Sequence, residues 1–331
     1  MKIKQLLTML SAVAVSASAF AADPKLAVVY DAGGKFDKSF SQSAFEGASR
    51  FRTETKINFL EAQASSDTQA EQILRGLARK KMDLIASIGF SQTQAVQKVA
   101  KEFPNVRFVL IDGVVNAPNV NSITFKEEEG SYLVGVAAAM ASKTKKLGFV
   151  GGVDIPLIRA FACGYTQGAK ATDKKVEVLQ NMVGTTAAAW NDPAKGGELA
   201  RSQFERGVDV VFAVAGGSGL GTLSMAKEKG KLGIGVDSNQ NHLHPGTILT
   251  SMVKRVDNAV YDSFMQIKNG TWKPGISAKG IKEGGVDWTL DQYNRKLITP
   301  EIEKKVLGAR KDIIDGKIKV IDIRATGNCP V

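Results

Sequence analysis

The chain has 331 residues, with 44 lysines and arginines against 33 aspartates and glutamates, a formal net charge of +11, 44% hydrophobic residues, 33 glycines and two cysteines. At roughly 150 residues per domain this length suits two domains with a core in each, and the composition excludes a disordered chain, a collagen-like repeat and a disulfide scaffold. A multi-pass membrane protein is excluded too: beyond the N-terminus no run reaches about 18 apolar residues, and Tyr132 to Met140 lies between Glu127-Glu128-Glu129 and Lys143-Thr144-Lys145-Lys146.

Residues 1–21 read as an export signal, with Lys2 and Lys4 as the positive start, Leu6 to Val15 as the short apolar run and Ala19-Phe20-Ala21 as an A-x-A cleavage site. The rival reading, an uncleaved anchor, has to make do with an apolar run about half a bilayer span long. The first cysteine is Cys163, so no lipidation cysteine stands at the cut, and the expectation is a soluble periplasmic protein rather than a lipoprotein.

From Lys25 onward, short β-rich apolar runs alternate with amphipathic ones. Strands are expected at Leu26–Tyr30, Ile57–Glu61, Leu84–Ile88, Arg107–Ile111 and Asn121–Phe125, with helices near Ser41–Thr53, Thr68–Lys80, Ser91–Phe103 and Gly130–Ser142. After Lys146 the rhythm restarts. Strands are expected at Leu147–Gly151, Val176–Asn181, Val210–Ala215, Leu232–Val236 and Ile248–Val253, and helices near Leu157–Thr172, Gly196–Arg206, Leu220–Lys229 and Asp257–Asn269. Near-continuous apolar strands such as VDVVFAVA and FVLID indicate α/β architecture with parallel sheets covered by helices on both faces. Thr271–Trp288, rich in glycine, reads as loop, Glu301–Asp315 as helix and Lys317–Ile321 as strand. The simplest organisation is an N-terminal lobe over 22–143, a C-terminal lobe over 144–270, and a segment 271–331 that crosses between the lobes or packs on them.

The basic residues are spread in groups such as Arg79-Lys80-Lys81, Lys174-Lys175 and Lys304-Lys305 without interleaved aromatics, which reads as solvated faces and not as a nucleic-acid surface. An anionic membrane surface or an acidic partner stays open on charge alone. Cys163 and Cys329 form either one bridge over a very long loop or two separate thiols.

In open parallel sheets ligands sit beyond the carboxyl ends of the strands. The first strand runs into Asp31-Ala32-Gly33-Gly34-Lys35-Phe36-Asp37-Lys38-Ser39-Phe40, the fourth ends at Asp112-Gly113, VVFAVA ends in Gly216-Gly217-Ser218-Gly219, and LGIGV ends in Asp237-Ser238-Asn239-Gln240. Asp37, Asp112 and Asp237 therefore point at one cleft. Each has a plainer reading as a helix cap or Asx turn, Phe45 and Phe212 as core, Lys254 as a solvated lysine, and the glycine run as a simple turn or phosphate cradle.

Phe36-Asp37-Lys38-Ser39-Phe40-Ser41-Gln42 leading to Phe45-Glu46-Gly47, then Leu147-Gly148-Phe149-Val150-Gly151-Gly152 with Phe161 and Gly164-Tyr165, Ala215-Gly216-Gly217-Ser218-Gly219, Gly235 to Gln240, and Thr250-Ser251-Met252-Val253-Lys254 follow one another in order over nearly all of the mature chain. In these motifs the chain resembles the basic membrane protein (BMP) family, the substrate-binding proteins of ABC transporters typified by purine nucleoside-binding members. The resemblance implies a type I periplasmic-binding-protein fold, two doubly wound lobes with a ligand cleft between them. It also implies Phe45 and Phe212 as the pair sandwiching the base, Asp112 on the base edge, Asp37 and Lys38 as first-lobe contacts, Asp237 on the ribose hydroxyls, and Gly216, Gly217 and Lys254 at the sugar end. Ser41 and Asn239 depart from the family's usual Asn and Asp.

The function expected is a monomeric periplasmic receptor that gives a purine nucleoside to ABC permease subunits, with no cofactor, metal or reaction. The alternatives are a sugar- or signal-binding protein of the same fold and an exported nucleoside-acting enzyme, whose glycine-rich turn followed by Asp237 mimics a dinucleotide site. For an enzyme, only His242 and His244 are available as histidines, in a polar loop. A regulator built on this fold would need a DNA-binding helix pair where the signal stands.

Overall fold

The computed structural model describes residues 23–331, so the expected export signal lies outside the described residues. In chain order the elements are β1 (Leu26–Tyr30), α1 (Phe40–Thr55), β2 (Phe59–Gln63), α2 (Asp67–Arg79), β3 (Leu84–Ile88), α3 (Thr93–Glu102), β4 (Arg107–Ile111), β5 (Val120–Phe125) and α4 (Glu127–Ala141). They continue with β6 (Lys146–Val153), α5 (Pro156–Thr172), β7 (Glu177–Gly184), α6 (Pro193–Glu205), β8 (Val210–Val214), α7 (Gly217–Glu228), β9 (Leu232–Asp237), β10 (Ile248–Lys254), α8 (Val256–Lys268), β11 (Gly275–Lys279), β12 (Val286–Trp288), α9 (Pro300–Ile314) and α10 (Ile323–Thr326). Among the described residues no helix is long and apolar enough to cross a membrane.

Two six-stranded sheets carry the fold, ordered β2-β1-β3-β4-β5-β11 and β7-β6-β8-β9-β10-β12. Every pairing is parallel except β10 with β12. The central strands are buried on both faces, which is why LAVVY and VVFAV are apolar throughout, and LIASI at every position but Ser87, rather than alternating. Helices α6 and α9 start on sequence-coded caps: Asp192 accepts from the Lys195 amide ahead of Pro193, and the Thr299 side chain accepts from the Ile302 amide ahead of Pro300.

The lobes are not consecutive stretches of chain. After β5 the chain crosses, and α4 packs on β10 and β12 of the second sheet. After β10 it crosses back, and α8 packs on α1, β3 and β4 of the first. The segment expected to be loop supplies β11 to the first sheet and then β12 to the second. The three crossings are bonded to one another: the Lys126 amide donates to the Lys279 carbonyl (3.1 Å) and the Arg255 amide to the Gly285 carbonyl (2.8 Å). The boundary expected at 143/144 thus falls after α4, inside the second lobe, because that helix is apolar on nearly every side and is enclosed by β10, β12, α5 and α9. The 270/271 boundary falls beyond α8, which belongs to the first lobe. Close approach of α4 and α5 depends on glycine: a Cβ at Gly164 would lie 2.3 Å from the Glu128 carbonyl oxygen, and one at Gly168 2.0 Å from that of Tyr132.

Lys317–Ile321, expected as a strand, is irregular. Both sheets already have their edge strands, and the backbone of Ile321 is paired instead by the side chain of Gln167, which donates to its carbonyl (2.9 Å) and accepts from its amide (2.9 Å). Cys163 on α5 and Cys329 near the C-terminus are bonded, so the tail is tied to the second lobe.

Candidate functional site

The order 2-1-3-4-5 in each sheet leaves a crevice at the carboxyl ends beside β1 and β6, where successive connections turn to opposite faces. Both crevices open on one cavity with about 540 Å³ of space not filled by atoms, its mouth included. The first lobe contributes Asp31, Gly33, Asp37 and Phe40 from the β1–α1 loop and the start of α1, Gly89 and Phe90 after β3, and Asp112 after β4. The second contributes Leu157, Ile158 and Phe161 of α5, Trp190 after β7, Val214 and Gly216 at the end of β8, Asp237 at the end of β9 and Lys254 at the end of β10. Asp112 and Asp237 hold left-handed backbone, φ 65° and 63°, which turns each chain end sharply away from its strand.

Four carboxylates face this cavity. Asp37 is spent largely on the loop, accepting from the amides of Ser39 (2.9 Å), Ser41 (3.0 Å) and Gln42 (3.1 Å). Asp31 accepts from the Gly33 amide (3.1 Å) and the Ser41 hydroxyl (3.3 Å). Asp237 accepts from the Ser39 hydroxyl at 2.6 Å, and this bond joins the lobes, as do those of Ser238 Oγ to the Ser39 carbonyl (2.8 Å) and Gln240 Nε2 to the Lys38 carbonyl (2.9 Å). Asp112 Oδ2 accepts from Lys254 Nζ at 2.6 Å, while its Oδ1 is buried with no hydrogen-bond partner among the described residues.

Lys254 is 2% exposed, so it is no solvated lysine. Its ammonium also lies 3.0 Å from Glu127 Oε1 and within 5.1–5.5 Å of the ring centres of Phe40, Phe125 and Phe161. Burial lifts Asp31, Asp37, Asp112 and Asp237 to about 6, against hydrogen bonds and, for Asp112 and Asp237, the pull of Lys254. Burial works against the Lys254 charge, but Asp112, Glu127 and Asp237 outweigh it and hold the proton on. The cavity is therefore acidic, with one ammonium shared at its floor.

Of the residues expected from sequence, Asp37, Asp112, Gly216, Asp237 and Lys254 line the cavity. Gly217 opens α7 beside it, where a Cβ would meet the Trp190 carbonyl oxygen at 3.2 Å. Lys38 is exposed and contributes its carbonyl to the lobe contact rather than its side chain to the cavity. The expected aromatic pair is not there. Phe212, 0% exposed, sits mid-strand in β8 against Phe149, Phe161 and Tyr165, and Phe45 packs edge-on to Phe36 under the Lys35 ammonium, outside the lining. The rings that reach the cavity are Phe40, Phe90, Phe161 and Trp190. Ser41 lies beneath the wall, bonded to Asp31 and Asp37, whereas Asn239 is exposed and donates to Asp291 (2.7 Å). Asp31 was accessible to the strand-end rule that picked out Asp112, since it follows β1 directly. Trp190, in an aperiodic stretch, carried no such signal.

The family model for PnrA-like ABC transporter substrate-binding proteins (Bmp) matches residues 24–324. The chain belongs to this Bmp family. Relatives in it include the ABC transporter nucleoside-binding protein BmpA of Lactococcus lactis subsp. cremoris, 36% identical over 321 residues covering 90% of this chain and 89% of that one, and basic membrane protein A of Borreliella burgdorferi, 33% identical with 90% and 87% covered. Among solved structures, an ABC transporter solute-binding protein of Aeropyrum pernix K1 superposes with a TM-score of 0.84 at 28% identity, covering 90% of this chain and 94% of that one. Members of the Bmp family are substrate-binding proteins of ABC transporters.

Proposed function

We propose that the protein is the periplasmic receptor of an ABC importer, closes on a purine nucleoside and hands it to the membrane permease. The observation that carries this reading is the make-up of the cavity. Phe90 and Trp190 stand on 3₁₀ turns after β3 and β7, one from each lobe, and offer flat faces to a base in place of Phe45 and Phe212. The unpartnered Oδ1 of Asp112 accepts an N–H of the base edge. Asp237, already oriented by Ser39, accepts from the vicinal hydroxyls of ribose, and charge-assisted bonds of this kind are about twice as strong as neutral ones. An acidic cavity disfavours anionic ligands and suits an uncharged one. The lactococcal relative's description as nucleoside-binding supports the same class.

Binding requires no chemistry, only a preference of the ligand for the state in which both lobes touch it. Calorimetric titration of unfolded and refolded protein with guanosine, inosine and adenosine, and with uridine and ribose as controls, tests the reading. Tight one-to-one binding of a purine nucleoside is expected, and silence with all five would remove it.

A further inference from the structure

The C-terminal tail is fastened at two points. Cys329 is bonded to Cys163 on α5, and Ile321 is held by Gln167 one turn further along the same helix. Between these anchors, α10 delivers Arg324 to the first lobe crossing. Its guanidinium donates to Glu127 Oε2 (2.7 Å), Glu128 Oε2 (3.0 Å), both oxygens of Asp322 (2.9 and 3.0 Å) and the carbonyl of Phe125 (3.2 Å), the last residue before the crossing.

Glu127 is the link to the cavity. It is 0% exposed, and its two oxygens face two cations, Arg324 on one side and Lys254, 3.0 Å away, on the other. Two carboxylates reach the Lys254 ammonium, Asp112 at 2.6 Å and Glu127 at 3.0 Å. A buried carboxylate already served by a bidentate-capable guanidinium draws less on a shared ammonium.

We propose that Arg324, presented by the disulfide-tethered tail, is a positioning residue of the ligand cavity: acting through Glu127, it sets the place of the Lys254 ammonium at the cavity floor and ties that floor to the first crossing. The proposal rests on the reading above only in taking this cavity as the ligand site. The tail is then part of the binding apparatus without touching the ligand.

The test follows the Lys254 ammonium itself, by ¹⁵N NMR of the lysine-labelled full chain with Lys254→Gln to assign the signal, together with calorimetric titration of guanosine. Arg324→Gln is expected to shift the Lys254 signal and to weaken guanosine binding about tenfold, a usual coupling between contacting residues. Arg324→Lys, which keeps the charge but not the fork, gives an intermediate shift and partial recovery of affinity, and it carries the test alone should Arg324→Gln fail to fold. The double variant Glu127→Gln/Arg324→Gln is expected to bind no more weakly than Glu127→Gln, because Arg324 acts through that carboxylate. A Lys254 signal unmoved by either Arg324 substitution, or losses that simply add in the double variant, overturn the proposal. A signal that moves in Arg324→Gln, less in Arg324→Lys, in a protein that binds none of guanosine, inosine, adenosine, uridine and ribose, upholds the positioning role and rejects the nucleoside reading instead.

Discussion

Replacing Lys254 by Met separates charge from packing at the centre of the site. Methionine keeps the aliphatic stem among Phe40, Phe125 and Phe161 but removes the ammonium from between Asp112 at 2.6 Å and Glu127 at 3.0 Å. Deleting one partner of a buried ion pair costs about 3–5 kcal/mol, because the remaining charge stays desolvated. We expect that loss in urea unfolding at pH 7.5. The pH dependence identifies its origin. Asp112 already titrates near 6 with Lys254 pulling it down, so without the lysine it rises further. A carboxyl whose folded pKa exceeds its unfolded value binds the proton more tightly when folded, so the variant regains stability as pH falls through that folded pKa. At pH 5 Asp112 is protonated and the deficit should shrink by more than about 1 kcal/mol, each pKa unit being worth 1.36 kcal/mol. Equal deficits at pH 7.5 and pH 5 would refute the argument and make Lys254 a packing residue.

Asp237→Asn should act in opposite directions on binding and stability: nucleoside affinity falls by about tenfold or more as a charge-assisted acceptor is lost, while the unfolding midpoint at pH 7 rises because an ionised buried carboxyl has gone. Calorimetry and urea unfolding on the same preparation check both signs. Trp190→Ala should lose about 1–3 kcal/mol of nucleoside binding and Phe45→Ala almost none, whereas Phe212→Ala should cost about 3–5 kcal/mol of stability as a core truncation; a larger binding loss in Phe45→Ala than in Trp190→Ala would restore the pair expected from sequence. Cys163→Ser/Cys329→Ser opens a loop of sequence separation 166, which the chain-entropy account values at up to about 5 kcal/mol, read as a lowered midpoint against untreated protein.

Sequence pattern located the central strands well, β1, β3 and β4 to the residue, because strands buried on both faces are near-continuous apolar runs bounded by polar loops. The same property hid the aromatic contacts. In a strand apolar on both faces, alternation no longer says where Phe212 points, and it points into the core. Strand-end position was a better guide: Asp112 and Asp237 line the cavity because a residue just past a parallel strand has only the crevice to face. Lobe membership was illegible for a different reason. An apolar helix such as α4 announces burial on all sides, but which sheet it covers is fixed by long-range packing through Gly135, Gly164 and Gly168. β11 and β12, five and three residues long in a glycine-rich stretch, exist because each sheet offers an unpaired edge, a tertiary fact absent from local sequence.

The last strands to be made are β11 and β12, and each closes a different sheet. During synthesis the first sheet lacks its edge strand until residue 279 and the second until residue 288 of 331, so no independently complete half emerges early to fold ahead of the rest. The late arrival of both edges keeps the nascent chain unfinished over almost its entire length, and a chain truncated before β11 would lack an edge strand in both lobes rather than a terminal appendage of one.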